Sequence, residues 1–302
     1  MLKLQHLKHF VAVFEEGSFS AGAQRVNATQ SGLSMHVRQL EDRYQVQLLE
    51  RSSTGVTPTE AGKRFYRDAV RVMRAASEAE ANLRALSGAV TGHVTVGLMP
   101  TFTRSVLGPA LLGFAEEYPS VKVTVREAYS AELSRQILAG ELDFAIVPAF
   151  DADDRLRASL MGTDQEYLVV SCESEIAPDG PVRLADLPPL DLVLPSRENA
   201  RRLKIDQYLA TNGIETGRLM ELDSMFTTLD LVARSDWATI LPGILCLPDL
   251  ADGRRRMIPI TAPGLTVDYL RIEPMSVPLS EAGQAFYSFL MDELATALNE
   301  LG

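Results

Sequence analysis

Apolar residues recur at helical intervals through the first forty positions: Leu7, Phe10, Val11 and Phe14, then Leu33, Val37 and Leu40. This spacing gives each of two helices one apolar face. Between them Gly17 ends the first helix, and Ser18 or Ser20 caps a second that runs through Val26. Asn27 suits the turn, because asparagine tolerates left-handed backbone angles. Thr29 or Gln30 then opens a third helix, with Gln30, Ser31, Ser34 and Arg38 opposite its apolar face. Three helices joined in this way predict a helix-turn-helix, whose last helix lies in the DNA major groove with its N-terminal residues at the base edges. Glutamine reads adenine, and serine serves a base or a phosphate. The same pattern also fits a small helical subdomain with a solvated polar face.

Thr54-Gly55-Val56-Thr57, after Leu48 and Leu49, predicts a hairpin wing. Pro58 and Thr59 start a helix over 59–86, about 42 Å long. Along it Phe65, Ala69, Val72, Ala76, Ala79, Leu83 and Leu86 alternate steps of four and three, the seam of a helix that pairs with another. The expected partner is a second copy, so Phe65, Ala69, Val72, Ala76 and Leu83 are the dimerisation candidates. The alternative is packing on the chain's own C-terminal body.

Residues 88–302 alternate strand-like and helix-like runs, predicting an α/β domain with a mostly parallel sheet. Strands are expected at 93–98, 121–127, 142–147, 166–171, 191–194, 218–222, 238–241 and 266–273. Helices are expected at 104–118, 132–138, about 201–211, about 225–234 and from Ser280. The expected divisions are 1–58, a linker helix 59–88, and 89–302. The last splits into lobe I, about 89–162 and 266–302, and lobe II, about 163–265. Two lobes crossed twice by the chain create a cleft. Ligands of open α/β sheets sit beyond the strands' C-terminal ends, where helix N-termini offer N–H groups. Candidate cleft residues are therefore Pro100, Thr101, Phe102, Thr103, Tyr129, Pro148, Ser196, Arg197, Ser224, Phe226 and Pro242. Thr101, Ser196 and Ser224 also fit as simple helix caps. Arg104, Arg197 or Arg201 could pair with an acidic ligand.

Charge sharpens the division: residues 1–67 carry a formal +3 and the remainder −14. A basic reader on an acidic body fits DNA contact confined to one end. The chain has no apolar run near 18 residues, and Lys3, Lys8, Glu15 and Glu16 argue against a secretory segment, so a cytoplasmic protein without a membrane span is expected. Cys172 and Cys246 stand 74 positions apart and read as buried and inert. The four histidines are scattered in sequence. No metal cluster, phosphate loop or nucleophile elbow is evident, so neither enzyme nor cofactor is expected.

The run GSFSAGAQRVNATQSGLSMHVRQLEDRYQVQLLERS, followed by TPTEAG, resembles the N-terminal signature of LysR-type transcriptional regulators. The resemblance implies a winged helix-turn-helix, a dimerising linker helix, tetramers, and a periplasmic-binding-protein-like domain that senses a small effector. It implies base contacts at Gln30, Ser31 and Ser34 and a backbone contact at Arg51. Thr101 or Thr103 would lie near the effector's carboxylate. Met35 stands where arginine is common, and the wing, Ser52 to Val56, lacks the usual basic residue. DNA contacts are accordingly expected to draw also on Met35, His36, Arg38 and Thr54. His36 reads equally as a phosphate or solvent contact. Trp237, the only tryptophan, stands where the family usually has small glycines, and reads as a repacked loop, a narrowed cleft or an altered inter-subunit surface.

The implied function is a homo-oligomeric regulator that binds double-stranded promoter DNA and responds to a small-molecule effector such as an organic or aromatic acid. RNA polymerase is a further candidate partner. The alternatives are a solute-binding protein and a ligand-independent DNA-binding protein.

Overall fold

The computed structural model describes residues 2–52, 55–85, 90–150, 153–176, 178, 180–275 and 278–301. The chain folds as two compact units, the first built on residues up to Gly92 and the second on most of the remainder.

In the first unit α1 (Leu4–Glu16) stops where Gly17 adopts a left-handed φ of 59°. Helix α2 (Phe19–Arg25) opens at Ser18, whose hydroxyl accepts from the Ala21 amide at 3.4 Å. Asn27 makes the turn with a φ of 51°. Helix α3 (Gln30–Tyr44) is capped by Thr29, whose hydroxyl accepts from the Gly32 amide at 3.2 Å. Leu7, Phe10, Val13, Phe19, Ala23, Leu33, Val37 and Leu40 close into one core. Strands β1 (Leu49–Ser52) and β2 (Gly55–Pro58) pair antiparallel as the wing. Glu41 fastens the approach to it, its carboxylate accepting from the Leu48 and Leu49 amides at 2.8 and 3.1 Å.

Helix α4 (Glu60–Ala85) has 26 residues and is therefore about 39 Å long. Thr59 caps it, accepting from the Gly62 amide at 3.0 Å. Gly62 is required there, because a Cβ would lie 2.0 Å from the Leu48 carbonyl oxygen. The seam expected along α4 divides. Half-buried Phe65 lies 5.0 Å from the Phe10 ring, and Ala69 is buried in the same core, so Ala69 offers no free surface and Phe65 only part of its own. The cause is α1, which turns its Phe10 and Phe14 side toward α4; Phe14 stacks on Tyr66 at 4.1 Å. Further along, Val72 and Leu83 are 48% and 69% exposed and Ala76 is half-buried. Leu86 lies outside the described residues.

The second unit begins with β3 (Gly92–Leu98), α5 (Pro100–Ser105), α6 (Leu107–Glu117), β4 (Val121–Glu127), α7 (Ser130–Leu138) and β5 (Phe144–Pro148). The single helix expected over 104–118 is thus two. Pro109 has no N–H for the Ser105 carbonyl and its ring crowds that turn. The chain continues through β6 (Leu156–Ser171), β7 (Leu190–Leu194), α8 (Ala200–Thr211), β8 (Thr216–Glu221), α9 (Met225–Ala233) and β9 (Thr239–Pro242). It ends with α10 (Gly243–Asp252), β10 (Arg255–Pro259), β11 (Thr266–Pro274) and α11 (Glu281–Leu301). Neither α10 nor β10 was expected, since Gly243, Pro248 and Gly253 punctuate that stretch as a loop would.

The main sheet runs β10-β6-β11-β5-β3-β4, with β9 also on β6. Strand β6 serves both lobes: Leu156–Gln165 pair with β11, and Glu166–Ser171 with β9 and β10. The expected mostly parallel sheet is not what forms. Pairings β3–β5 and β7–β8 are parallel, but those of β6 and β11 are antiparallel. The reason is the crossing itself: β6 carries the chain out to the second lobe and β11 brings it back. Leu168, Val170, Leu192, Leu194, Ile205, Ile240 and Ile258 fill the core of the second lobe.

Candidate functional site

Helix α3 buries Leu33, Val37 and Leu40 and leaves Gln30, Ser31, Met35 and Arg38 exposed, with Ser34 half-buried. At about 100° per residue, Gln30, Ser34, Arg38 and Ser31 fall within one quadrant or so, with Met35 at its margin. That face, open at the helix N-terminus, has the geometry of a groove reader. Arg51 pairs with Val56 through its backbone, but its side chain and Thr54 lie outside the described residues.

His36 is placed differently from its expected phosphate or solvent contact. It stands about 200° around α3 from Ser34, and its Nδ1 lies 2.9 Å from Nδ1 of His9, which is 94% buried on α1. The rings of His6 and His9 approach that of His36 to 4.9 and 4.6 Å between centroids. Three of the four histidines, scattered in sequence, therefore form one cluster between α1 and α3. Burial holds His6 and His9 below the ordinary imidazole value, and the neighbouring His36 lowers both further. The sequence signal was present in the i, i+3 pair on α1, but nothing local tied it to position 36.

In the second unit the candidates part company. Tyr129, after β4, donates its hydroxyl to the Asp223 carbonyl, after β8. The Ser196 amide, after β7, donates to the Asp223 carboxylate at 2.9 Å. Three strand-end loops from both lobes thus meet at Asp223, which was not among the expected cleft residues. Burial pushes the Tyr129 phenol up to about 12, with Asp223 and Glu127 adding to it. The hydroxyls of Ser196 and of Ser130, the residue after Tyr129, are buried with no hydrogen-bond partner among the described residues, a cost that a ligand's polar groups would relieve. Ser224 is a helix cap, accepting from the Thr227 amide at 3.4 Å. Pro100 opens α5, and the Thr103 hydroxyl contacts the Pro100 carbonyl and the Glu127 carboxylate.

The remaining cleft candidates are corrected. Phe102 is fully buried with its ring edge-on to Tyr269, and Thr101 is 97% buried, so both belong to the packed interior. Pro148 and Pro242 are buried in ladder positions opposite Tyr269 and Glu166. Phe226 is 87% exposed, too open to be a cleft wall. Two of the three arginines proposed for an acidic ligand are already engaged. Arg104 forms a two-pronged pair with Asp249 at 2.9 and 2.7 Å. Arg201, 97% buried, pairs with Glu166 at 2.8 and 2.6 Å and also donates to the Ile240 carbonyl. Burial would raise Asp249, but Arg104 and Arg255 hold it below its usual value. Arg197 remains exposed beside Ser196.

Cys246 is buried as expected, whereas Cys172 is exposed in the turn after β6. Trp237 lies under the Arg218 guanidinium, 5.0 Å from the ring centre, and Arg218 pairs with Asp191 at 2.6 Å. No group of three or more metal-ligating side chains with binding geometry occurs among the described residues.

Residues 4–63 match the model for the bacterial regulatory helix-turn-helix protein, lysR family, and residues 87–295 that for the LysR substrate binding domain. The nitrogen assimilation regulatory protein nac of Escherichia coli is 25% identical over 300 residues, spanning 99% of this chain and 97% of that protein. Its counterpart in Klebsiella aerogenes is 29% identical over 80% of this chain and 78% of its own length. Among solved structures, CbnR, a LysR family transcriptional regulator, superposes with a TM-score of 0.69 at 22% identity over 97% of this chain and 99% of its own, a likeness of fold. The chain belongs to the LysR family and is a DNA-binding transcriptional regulator with a LysR-type substrate-binding domain.

Proposed function

We propose that this regulator reads promoter DNA through Gln30, Ser31, Ser34, Met35 and Arg38, and that a small effector seated among Tyr129, Ser196 and Asp223 sets its activity. The observation that carries the effector site is the meeting of three strand-end loops at Asp223, with the hydroxyls of Ser196 and of Ser130, the residue after Tyr129, buried and lacking a hydrogen-bond partner among the described residues. An acidic effector, as first expected, would rely on Arg197, because Arg104 and Arg201 are held by Asp249 and Glu166. The effector would act by preferring one spacing of the two lobes. That preference is worth about 1–3 kcal/mol in ordinary allosteric coupling. Self-association through the exposed part of α4, Val72, Ala76 and Leu83, would carry the change to a pair of DNA readers.

The direct test is a thermal-shift screen of small organic and aromatic acids. A true effector at a hundredfold excess over its Kd stabilises by about 2.7 kcal/mol, and Arg197→Ala and Ser196→Ala should remove the shift. Unchanged shifts in both variants would place the ligand elsewhere. For self-association, Val72→Glu with Leu83→Glu should reduce the oligomer measured by sedimentation. An unchanged oligomer would reject α4 as the pairing surface.

A further inference from the structure

The cluster of His6, His9 and His36 joins the helix that reads DNA to the helix behind it. The Nδ1 atoms of His9 and His36 face each other at 2.9 Å, so one must donate and the other accept. This arrangement survives with both rings neutral, or with one carrying an extra proton on its outer nitrogen. A second proton would set two N–H groups against each other and two cationic rings 4.6 Å apart. His6, at 4.9 Å from His36, adds a third ring to the same space. Among the described residues the other charges acting most strongly on His6 are Lys3 and Arg43, both cationic. Extra protons thus have no local counter-charge among the strongest neighbours.

We propose that His9 and His6 are positioning residues for DNA reading: through the bond to His36 they hold α3 against α1, and a second proton on the cluster releases that hold. The DNA-facing residues share α3 with His36, so loosening the helix blurs base recognition. Attraction to phosphates persists or rises as positive charge is added. Acidification therefore lowers preference for a chosen sequence more than it lowers binding to DNA at large. The inference rests on α3 being the reading helix, and the test separates the two.

The full chain is used to select a preferred duplex from a random pool at about pH 7.5. Its affinity is then compared with that for a scrambled duplex, at fixed ionic strength, at about pH 7.5 and 5.5. The parent's preference is expected to fall about tenfold, the scale of losing one good base contact. His9→Asn keeps a short amide near the position of Nδ1 without a titrating ring. It should retain preference at the higher pH and lose most of the pH dependence. His9→Leu should weaken preference at both. A parent whose preference does not change with pH, or His9→Asn with the full parental dependence, overturns the proposal. A parent that selects no duplex at the higher pH overturns the assignment of α3 itself.

Discussion

Where α1 meets α3, three imidazoles share a partly buried space, and the charges acting on His6 from Lys3 and Arg43 are cationic. Where β6 crosses between the lobes, Glu166 is matched to Arg201, and Asp164 accepts from the Tyr269 hydroxyl at 3.1 Å and the Ile244 amide at 3.0 Å. In the first unit burial favours the neutral forms of His6 and His9, while the second matches charge with charge or leaves a carboxyl to burial. The two respond to protons with opposite sign. His6 and His9 are lowered from 6.5, so their contribution to stability is whole above that value and is lost as pH falls through the lower folded-state value. Burial raises Asp164 to about 6 from 3.8, so its contribution is whole below 3.8 and is lost as pH rises through about 6. Mild acid should therefore loosen the DNA reader while relieving strain at the crossing.

The largest expected effect breaks the matched pair. Glu166→Ala leaves the Arg201 guanidinium buried without its counter-charge, and should cost the second unit about 3–5 kcal/mol in denaturant unfolding. A loss under about 1 kcal/mol would mean water reaches Arg201. The opposed pH responses come next. In thermal scans from about pH 7 to 5, the transition of the second unit should rise by the equivalent of about 1–3 kcal/mol and that of the first should fall. Asp164→Asn should flatten the rise and leave the fall intact; if both transitions move together, the contrast is wrong.

Gln30→Ala and Ser34→Ala should each weaken a selected duplex by about 1–3 kcal/mol, the scale of a base contact, without moving either thermal transition. Parental affinity in both would remove those side chains from the reading face. The smallest effect belongs to Arg218, whose pairing with Asp191 and Trp237 is largely exposed. Arg218→Ala should change stability by at most about 1 kcal/mol, and a larger loss would mean that Trp237 depends on it for its place.

The outline of the fold was legible because its cues are local. Thr29 and Ser18 cap helices, Asn27 and Gly17 take left-handed turns, and Leu33, Val37 and Leu40 share one face, all consequences of neighbours within a few residues. The site was legible only in part. Tyr129 and Ser196 each bond Asp223, which no local signal marked as a junction, and Phe102 read as a cleft residue because strand-end position says nothing about which way a ring packs. Phe65 and Ala69 kept perfect heptad spacing, yet α1 reaches them first.

By itself, then, the sequence determined the periodicities, the caps and turns, the split of charge between a basic end and an acidic body, and the signature over residues 17–62. The tertiary structure alone decided that His36 faces His9, that Arg201 answers Glu166 across 35 positions, and that β6 belongs to two lobes. Periodicity orders residues a turn or a pleat apart. The pairing of remote polar groups follows from which faces exclude water together, and that is settled only when the elements pack.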